Sequence, residues 1–231
     1  MNILVIGGTR GIGKEIVILM SEDKNNQIMV AGRNADVLRE LVRSCRHGNI
    51  SSVQIDLSSF DEQAKSFREE VFNRFSRLDV LINSAGNLAV RDFVETSNEE
   101  ARAMMETNFF GPASVIRLLF PLMGIGTHII NIASMGGFQG SSKYRGLSYY
   151  SASKAALACL TECLSEEFQD SGIIVNCLAL GSVQTEMFES AFPGATAPVN
   201  PREMAEFIVN FAVNGKKYFN GKILPVAVKN P

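Results

Sequence analysis

Short apolar runs, rich in Ile and Val, alternate with longer amphipathic stretches along the chain. The short runs have the length and composition of buried strands, whereas the longer stretches are typical of helices. This alternation indicates β-α-β units, in which parallel strands form one sheet. The pattern predicts seven strands, at residues 3–6, 28–31, 52–55, 80–82, 128–132, 173–178 and 223–228. It also predicts helices near residues 11–22, 34–45, 60–75, 97–122, 150–170 and 201–214.

The length of 231 residues fits one large α/β domain with a single sheet. No internal repeat, low-complexity segment or change of composition marks a linker. We therefore expect one domain over residues 1–231. Two prolines and a glycine fall within residues 183–200, which we expect to form an irregular loop or lid rather than a domain boundary.

Charge and composition exclude several classes of partner. The 22 basic and 24 acidic residues give a formal net charge of −2, and no basic run would bind nucleic acid or an anionic membrane. No apolar stretch reaches the roughly 18 residues of a membrane span, and the first strand leaves no room for a signal peptide. We expect a cytoplasmic protein with reduced cysteines. Its histidines and cysteines lack metal-ligand spacing, so we expect no metal.

Glycines follow the first predicted strand, and ligands of open parallel sheets bind beyond the carboxyl ends of strands. Gly7 permits a tight turn, Gly11 permits close approach to the backbone, and Gly13 lets helix and strand pack closely. The free N–H groups at the start of the helix would face a pyrophosphate. The position predicts a dinucleotide site, although a glycine turn without a ligand would have the same sequence.

The second predicted strand ends at Gly32-Arg33-Asn34, which contains no carboxylate. A carboxylate at this place would accept the ribose hydroxyls of NAD and repel a 2′-phosphate. Arg33, together with Arg10 from the glycine turn, could instead bind the 2′-phosphate of NADP through charge-assisted hydrogen bonds. The alternative is that Arg33 is a solvated charge at the start of a surface helix.

Tyr150 and Lys154 share one face of a predicted helix because they are four residues apart. A nearby ammonium favours the ionised phenol, which makes tyrosine a better acid or base near neutral pH. A tyrosine and lysine at this spacing also occur by chance. The position of Ser134, at the exit of the preceding predicted strand, is what favours a catalytic role for the pair.

These motifs, in this order, resemble the classical short-chain dehydrogenase/reductase family over essentially the whole chain, and the 3-oxoacyl reductases within it. The matching segments are the glycine turn, Asp56, residues 83–86 (NSAG), residues 108–111 (NFFG), Ser134, residues 150–154 (YSASK) and residues 176–185. The resemblance implies a doubly wound Rossmann fold of seven parallel strands. The implied strand order is 3-2-1-4-5-6-7, with helices on both faces.

The resemblance also implies a catalytic tetrad. Tyr150 would be the acid/base, and Ser134 would hydrogen-bond the substrate oxygen. Lys154 would bind the nicotinamide ribose and lower the tyrosine pKa, and Asn108 would hold a water that links Lys154 to solvent. Pro112 supplies a physical reason for this water, because proline cannot donate to the carbonyl of Asn108 four residues back. The alternative is a helix kink needed only for packing.

A cofactor site follows from the same resemblance. Asp56 and Leu57 match its adenine contacts, and Thr185 matches the residue that holds the nicotinamide carboxamide. The full set of expected cofactor-binding residues is Gly7, Thr9, Arg10, Gly11, Ile12, Gly13, Arg33, Asp56, Leu57, Asn83, Ala85, Gly86, Tyr150, Lys154, Val183 and Thr185.

We therefore expect an NADP(H)-dependent oxidoreductase that interconverts a small-molecule carbonyl and an alcohol, as a homodimer or homotetramer. The alternative is a non-catalytic NADP-binding redox sensor. Substrate loops are expected at residues 135–149 and 183–200, where Met187, Phe188 and Phe192 either line an apolar pocket or simply pack. The substrate itself stays open between 3-oxoacyl thioesters, small ketones and pterins.

Overall fold

The computed structural model describes residues 1–228, so the last three residues of the predicted domain lie outside it. Its strands, in chain order, are β1 (Asn2–Ile6), β2 (Gln27–Gly32), β3 (Ile50–Gln54), β4 (Val80–Asn83), β5 (His128–Ser134), β6 (Ile174–Leu180) and β7 (Ile223–Val226). All of them pair in parallel, in the order β3-β2-β1-β4-β5-β6-β7. The predicted fold class and strand order are confirmed.

The helices of the described residues are α1 (Gly11–Ser21), α2 (Ala35–Ser44), α3 (Phe60–Arg74), α4 (Asn98–Met105), α5 (Gly111–Leu119), α6 (Ser148–Glu167), α7 (Glu186–Ala191) and α8 (Pro201–Asn214). None of the helices within residues 1–228 is long and apolar enough to cross a membrane. Helix α6 begins two residues before the predicted start, which places Tyr150 in its first turn.

Helices cover both faces of the sheet, as the side chains of β1 illustrate. Ile3 and Val5 belong to a core that α1, α2 and α8 cover. Leu4 and Ile6 belong to a second core, which α3 and α5 cover. Successive side chains of a strand point to opposite faces, so a strand between two helical layers must be apolar at every position.

The prediction of one helix over residues 97–122 is wrong. The segment forms α4, then a π-helical turn over Glu106–Phe110, then α5. The N–H of Gly111 donates to the carbonyl of Glu106, five residues back. Pro112 has no N–H and its ring crowds the carbonyl four residues back, so an α-helical ladder cannot continue through it.

The expectation of irregular structure throughout residues 183–200 is also wrong in part, because α7 lies within it. The side chain of Thr185 accepts a hydrogen bond from the N–H of Phe188 at 3.2 Å and caps this helix. Asn200 caps α8 in the same way, accepting from the N–H of Glu203 at 3.0 Å. A short helix needs such a cap because its first N–H groups have no partner within it.

Candidate active site

A cavity of about 470 Å³ opens where the strands end, at the carboxyl edge of the sheet. The predicted site residues that line it are Gly7, Thr9, Arg10, Gly11, Ile12, Gly13, Arg33, Asp56, Leu57, Ala85, Gly86, Ser134, Tyr150, Lys154, Val183 and Thr185. These residues are separated by up to 178 positions in the chain, and the sheet order brings them to one place. Asn83 and Asn108 do not line the cavity.

Asn83, the last residue of β4, is buried within the sheet. Its side-chain Nδ2 donates to Oδ1 of Asn131 on the neighbouring strand β5, at 2.8 Å. The prediction that Asn83 contacts the cofactor directly finds no support in this position. Its side chain instead joins two central strands.

The glycine turn packs against the exit of β4. Gly7 has φ +84°, and a Cβ on it would lie 2.5 Å from the backbone of Ala85. A Cβ on Gly13 would lie 2.3 Å from the carbonyl oxygen of Gly7, so both positions require glycine. No side chain caps α1, and its first residues line the cavity. Free N–H groups in such a place fit the pyrophosphate of a dinucleotide.

Two arginines lie at the same end of the cavity as the glycine turn. Arg10 precedes α1 and Arg33 follows β2, and both side chains are exposed. Neither forms an ion pair with another residue in the described part of the chain. Asp56 also lines this end, and its Oδ1 accepts from the N–H of Ser58 at 2.9 Å. Asp56 therefore caps a local turn with one of its carboxylate oxygens.

Ser134 and Tyr150 meet at the far wall of the cavity. Ser134 ends β5, and its Oγ accepts from the N–H of Gly136 at 3.1 Å. Desolvation raises the pKa of the Tyr150 phenol above its ordinary value, and a hydrogen bond with the Ser134 side chain acts in the opposite direction. The net pKa of the Tyr150 phenol is therefore raised, and the predicted lowering by Lys154 together with a nicotinamide cation stays a prediction.

Lys154 lies one turn after Tyr150 on α6 and is buried. Its Nζ donates to the carbonyl oxygen of Ile132 on β5 at 2.9 Å. Burial lowers the pKa of Lys154 to about 8, although the neighbouring Cys177 thiol opposes that shift. At pH 7 most of the lysine is still protonated, so the buried group that lines this cavity is a cation.

Asn108 lies in the π-helical turn and connects two parts of the site. Its Nδ2 donates to the carbonyl oxygen of Asn87 at 2.8 Å and to Oγ of Ser153 at 2.9 Å. Its Oδ1 accepts from the N–H of Asn87 at 2.7 Å. A Cβ on Gly86 would lie 3.7 Å from both this Oδ1 and the Lys154 Nζ, so the two polar ends converge.

Comparison with known proteins decides the family. The model for short chain dehydrogenases matches residues 1–195. The chain belongs to the short chain dehydrogenase family. An uncharacterized oxidoreductase of Staphylococcus aureus (strain N315) is 27% identical over 219 residues, covering 94% of this chain and 92% of the relative. One of Staphylococcus saprophyticus is 28% identical over 207 residues, covering 88% of this chain and 87% of the relative.

Solved structures share the fold of this short chain dehydrogenase. A dehydrogenase/reductase from Sinorhizobium meliloti 1021 superposes with a TM-score of 0.82 at 28% identity, covering 98% of this chain and 93% of that one. A short chain dehydrogenase from Shigella flexneri 2a, complexed with NADP, has a TM-score of 0.87 at 23% identity, with coverage of 97% and 95%. This last likeness shows the fold alone.

Sequence reasoning missed several cavity residues of this short chain dehydrogenase. Leu88 follows β4, Tyr144 and Leu147 lie before α6, and Glu186 begins α7. None of these positions belongs to a short motif. For Tyr144 and Leu147 the only signal is their place in the predicted substrate loop at 135–149. Met187, Phe188 and Phe192, which could have been simple packing, do line the cavity.

The arrangement supplies two hydroxyl groups and a buried cation at one wall, and free N–H groups with two arginines at the other. Hydroxyl groups side by side can hydrogen-bond one oxygen atom and transfer a proton to it. Arginines bind phosphate groups through paired N–H donors. Within residues 1–228, no three His, Cys, Asp or Glu side chains come together as a metal site.

Proposed function

We propose that this short chain dehydrogenase is an NADP(H)-dependent enzyme that interconverts a carbonyl and an alcohol. The observation that carries the proposal is the cavity itself, because Ser134, Tyr150 and Lys154 share it with the glycine turn and the two arginines. The family consists of oxidoreductases with small-molecule substrates. When bound, the nicotinamide supplies or accepts the hydride.

The cofactor would lie along the carboxyl edge of the sheet. The N–H groups of α1 would bind the pyrophosphate, and the Asp56 and Leu57 segment would contact the adenine. The required glycines at 7 and 13 support this assignment, since a side chain at either position would close the turn. Thr185, whose Oγ1 already caps α7, would hold the nicotinamide carboxamide, with Val183 nearby in the same cavity lining.

Tyr150 would donate its phenolic proton to the carbonyl oxygen during reduction, and Ser134 would hydrogen-bond the same oxygen as negative charge develops on it. The raised pKa of Tyr150 keeps the phenol protonated at neutral pH, ready to donate. The Lys154 ammonium would then stabilise the phenolate until a proton returns. In the direction of oxidation, the same groups would remove the alcohol proton.

Asn108 would act as a positioning residue in this scheme. Its bonds to Asn87 and Ser153 join the exit of β4 to α6, which carries Tyr150 and Lys154. The predicted water between Lys154 and solvent stays a prediction. The convergence of Asn108 and Lys154 near Gly86 gives that water two polar partners.

The preference for NADP over NAD rests on Arg10 and Arg33. Both arginines lie at the end of the cavity where the adenosine ribose would bind, and no carboxylate follows β2. Two solved short chain dehydrogenases with this fold were complexed with NADP, from Shigella flexneri 2a and from Burkholderia cenocepacia J2315. A cytoplasmic location and a homodimer or homotetramer stay predictions.

The experiment is oxidation of NADPH with a panel of ketones, 3-oxoacyl thioesters, quinones and sugars, using wild-type and Tyr150→Phe protein. We expect turnover of at least one carbonyl class by the wild type. Tyr150→Phe should keep its affinity for NADPH and lose about 10²- to 10⁴-fold in turnover, because only the proton donor is removed.

The matched control is Tyr149→Phe, one residue earlier. Tyr149 stacks on Phe93 with ring centroids 5.5 Å apart, and the variant keeps this stack. It should retain wild-type turnover. Full activity of Tyr150→Phe would contradict the mechanism, and NADPH binding without turnover of any carbonyl would favour the redox sensor.

A further inference from the structure

Apolar side chains wall the half of the cavity beyond Ser134 and Tyr150. This half, called the substrate end below, is formed by Met135, Leu147, Met187, Phe188, Phe192 and Pro198. They come from the two loops at 135–149 and 183–200. The ring of Phe188 on α7 contacts the ring of Phe192, the residue just after this helix, with centroids 5.3 Å apart.

Five charged side chains line the cavity, and none of them is among the six residues that form the substrate end. Arg10, Arg33 and Asp56 surround the proposed cofactor phosphates. Lys154 is buried and donates from Nζ to the carbonyl oxygen of Ile132. Glu186 faces the glycine turn, because its Oε2 lies 3.5 Å from the position of a Cβ on Gly11. These five are all the charged residues among the described lining. Arg10 and Arg33 also line an adjoining cavity with Arg91 and Met187, and the proposed 2′-phosphate would occupy both of these arginines.

The apolar surface continues outward at the mouth of the cavity. Tyr144 lines the cavity and is half exposed, while Phe93 and Val94 are 61% and 89% exposed nearby. The N–H of Arg91 donates to the carbonyl of Gly146 at 3.0 Å, which attaches this segment to the substrate loop. A substrate longer than the cavity would therefore leave it across apolar surface.

Cations near the mouth already have partners. Arg91 forms an ion pair with Glu100 at 3.1 Å, and Arg145 forms one with Asp92. Lys143 donates from Nζ to the carbonyl oxygen of Phe138 at 2.7 Å. An anionic headgroup or carrier would have to break these contacts before it could bind here.

We infer that the substrate of this enzyme is an uncharged, lipophilic ketone or aldehyde, and that the substrate end rejects anionic carbonyl compounds. Burial of apolar groups against Met187, Phe188 and Phe192 would supply the binding free energy. A carboxylate or phosphate would lose its hydration without gaining a cation, which disfavours binding. The inference rests on the proposed function, because it assumes that Ser134 and Tyr150 mark the reacting carbonyl.

The test compares methyl 7-oxooctanoate with 7-oxooctanoate, which carry the same ketone and differ in charge at a carboxyl group that five methylenes separate from it. With NADPH and wild-type protein, we expect kcat/KM to be at least 30-fold higher for the ester. Equal values, or a preference for the acid, would overturn the inference. If the wild type turned over neither these two compounds nor any other neutral ketone, the result would contradict the proposed function instead.

A binding measurement distinguishes failure of the substrate inference from failure of the proposed function. Calorimetric titration of Tyr150→Phe protein with NADPH present should give tighter binding of the ester than of the acid by a similar factor, whether or not the wild type turns over either. Equally tight binding of the acid would overturn the inference.

A variant that places a cation at the substrate end sharpens the test. Phe192→Lys should shift the ester-to-acid ratio of kcat/KM toward the acid by at least tenfold. Phe207→Lys, at an exposed phenylalanine of α8 away from the cavity, is the matched control and should leave the ratio unchanged. An unchanged ratio in Phe192→Lys would mean that the apolar substrate end does not select the ester over the acid.

Discussion

The strands of this parallel sheet begin at one side, called the amino edge, and end at the other, the carboxyl edge. Both edges contain polar side chains, yet these side chains serve different purposes. At the amino edge, Thr127 Oγ1 donates to the carbonyl of Leu78 at 2.7 Å, and Asn49 Nδ2 lies 3.1–3.2 Å from three backbone carbonyls. At the carboxyl edge, the Ser134 and Tyr150 hydroxyls line an open cavity. Buried polarity alone therefore does not mark a functional site. Access to a cavity does.

His128 makes the contrast clearest, because histidine is a common catalytic residue. It begins β5, the strand that ends at Ser134. Its Nδ1 lies 3.0 Å from the carbonyl oxygen of Ala212 and its Nε2 lies 3.1 Å from Nδ2 of Asn176. Both ring nitrogens thus have partners inside the protein. We expect changes at the carboxyl edge to affect activity and changes at the amino edge to affect stability.

Among three further changes that compare the two edges, the largest expected effect is on turnover in Ser134→Ala. Loss of this hydroxyl removes one hydrogen bond to the developing oxyanion, and we expect kcat to fall by about 10²- to 10³-fold. The free energy of unfolding should stay close to that of the wild type. Ser182→Ala is the matched control, since Ser182 also lines the cavity but is exposed and outside the catalytic group.

The next effect is on stability, and it concerns His128. Burial lowers the pKa of His128 to about 4 from an ordinary 6.5, and the nearby Lys216 charge acts in the same direction. Between these two pH values the unfolded chain binds more protons than the folded one, so stability falls as pH falls. The neutral imidazole should therefore contribute about 3 kcal/mol above pH 6.5 that is lost by pH 4.

Denaturant unfolding of wild-type and His128→Gln protein at pH 7 and pH 4 measures this contribution. His128→Gln should be less stable at pH 7, should lose less stability on acidification, and should keep its turnover per folded molecule. His47→Gln, at an exposed histidine, is the control and should follow the wild type. Identical pH dependence in wild type and His128→Gln would break the distinction between the two edges.

The smallest expected effect is on cofactor choice in Arg33→Ala. Loss of a charge-assisted contact with the 2′-phosphate should lower the ratio of NADPH to NADH affinity by about tenfold. Arg43→Ala, at an exposed residue in the last turn of α2, should leave the ratio unchanged. Equal ratios in Arg33→Ala and wild type would mean that Arg33 is only a solvated surface charge.

Local pattern was enough to predict a parallel sheet and the glycine turn, with Gly7 and Gly13 at the first strand exit. The strand order and most of the expected cofactor contacts came from the family resemblance, and the expected site residues are 16 of the 40 residues that line the cavity. Ser134 was found because it also lies at a predicted strand exit. The sequence also predicted that Tyr150 and Lys154 share a face, because helical spacing alone brings them together.

Features that depend on distant contacts could not be predicted. His128 and Ala212 are 84 residues apart, and no local pattern indicates their hydrogen bond. Burial of Tyr150, which raises the pKa of its phenol, is likewise not visible in the sequence. Pro112 correctly marked an interruption near Asn108, although a proline does not distinguish a kink from a π-helical turn.

The position of Asn108 in the site depends on the number of residues in the π-helical turn at Glu106–Phe110. A π turn holds one more residue than the α turn it replaces, and each residue of an α-helix rotates the chain by about 100°. Removing a single residue between α4 and α5 would leave Pro112 in place, so the interruption would remain, and it would rotate Asn108 by about 100° away from Ser153 and Asn87. Insertions and deletions at this turn would then alter the active site more than most substitutions there.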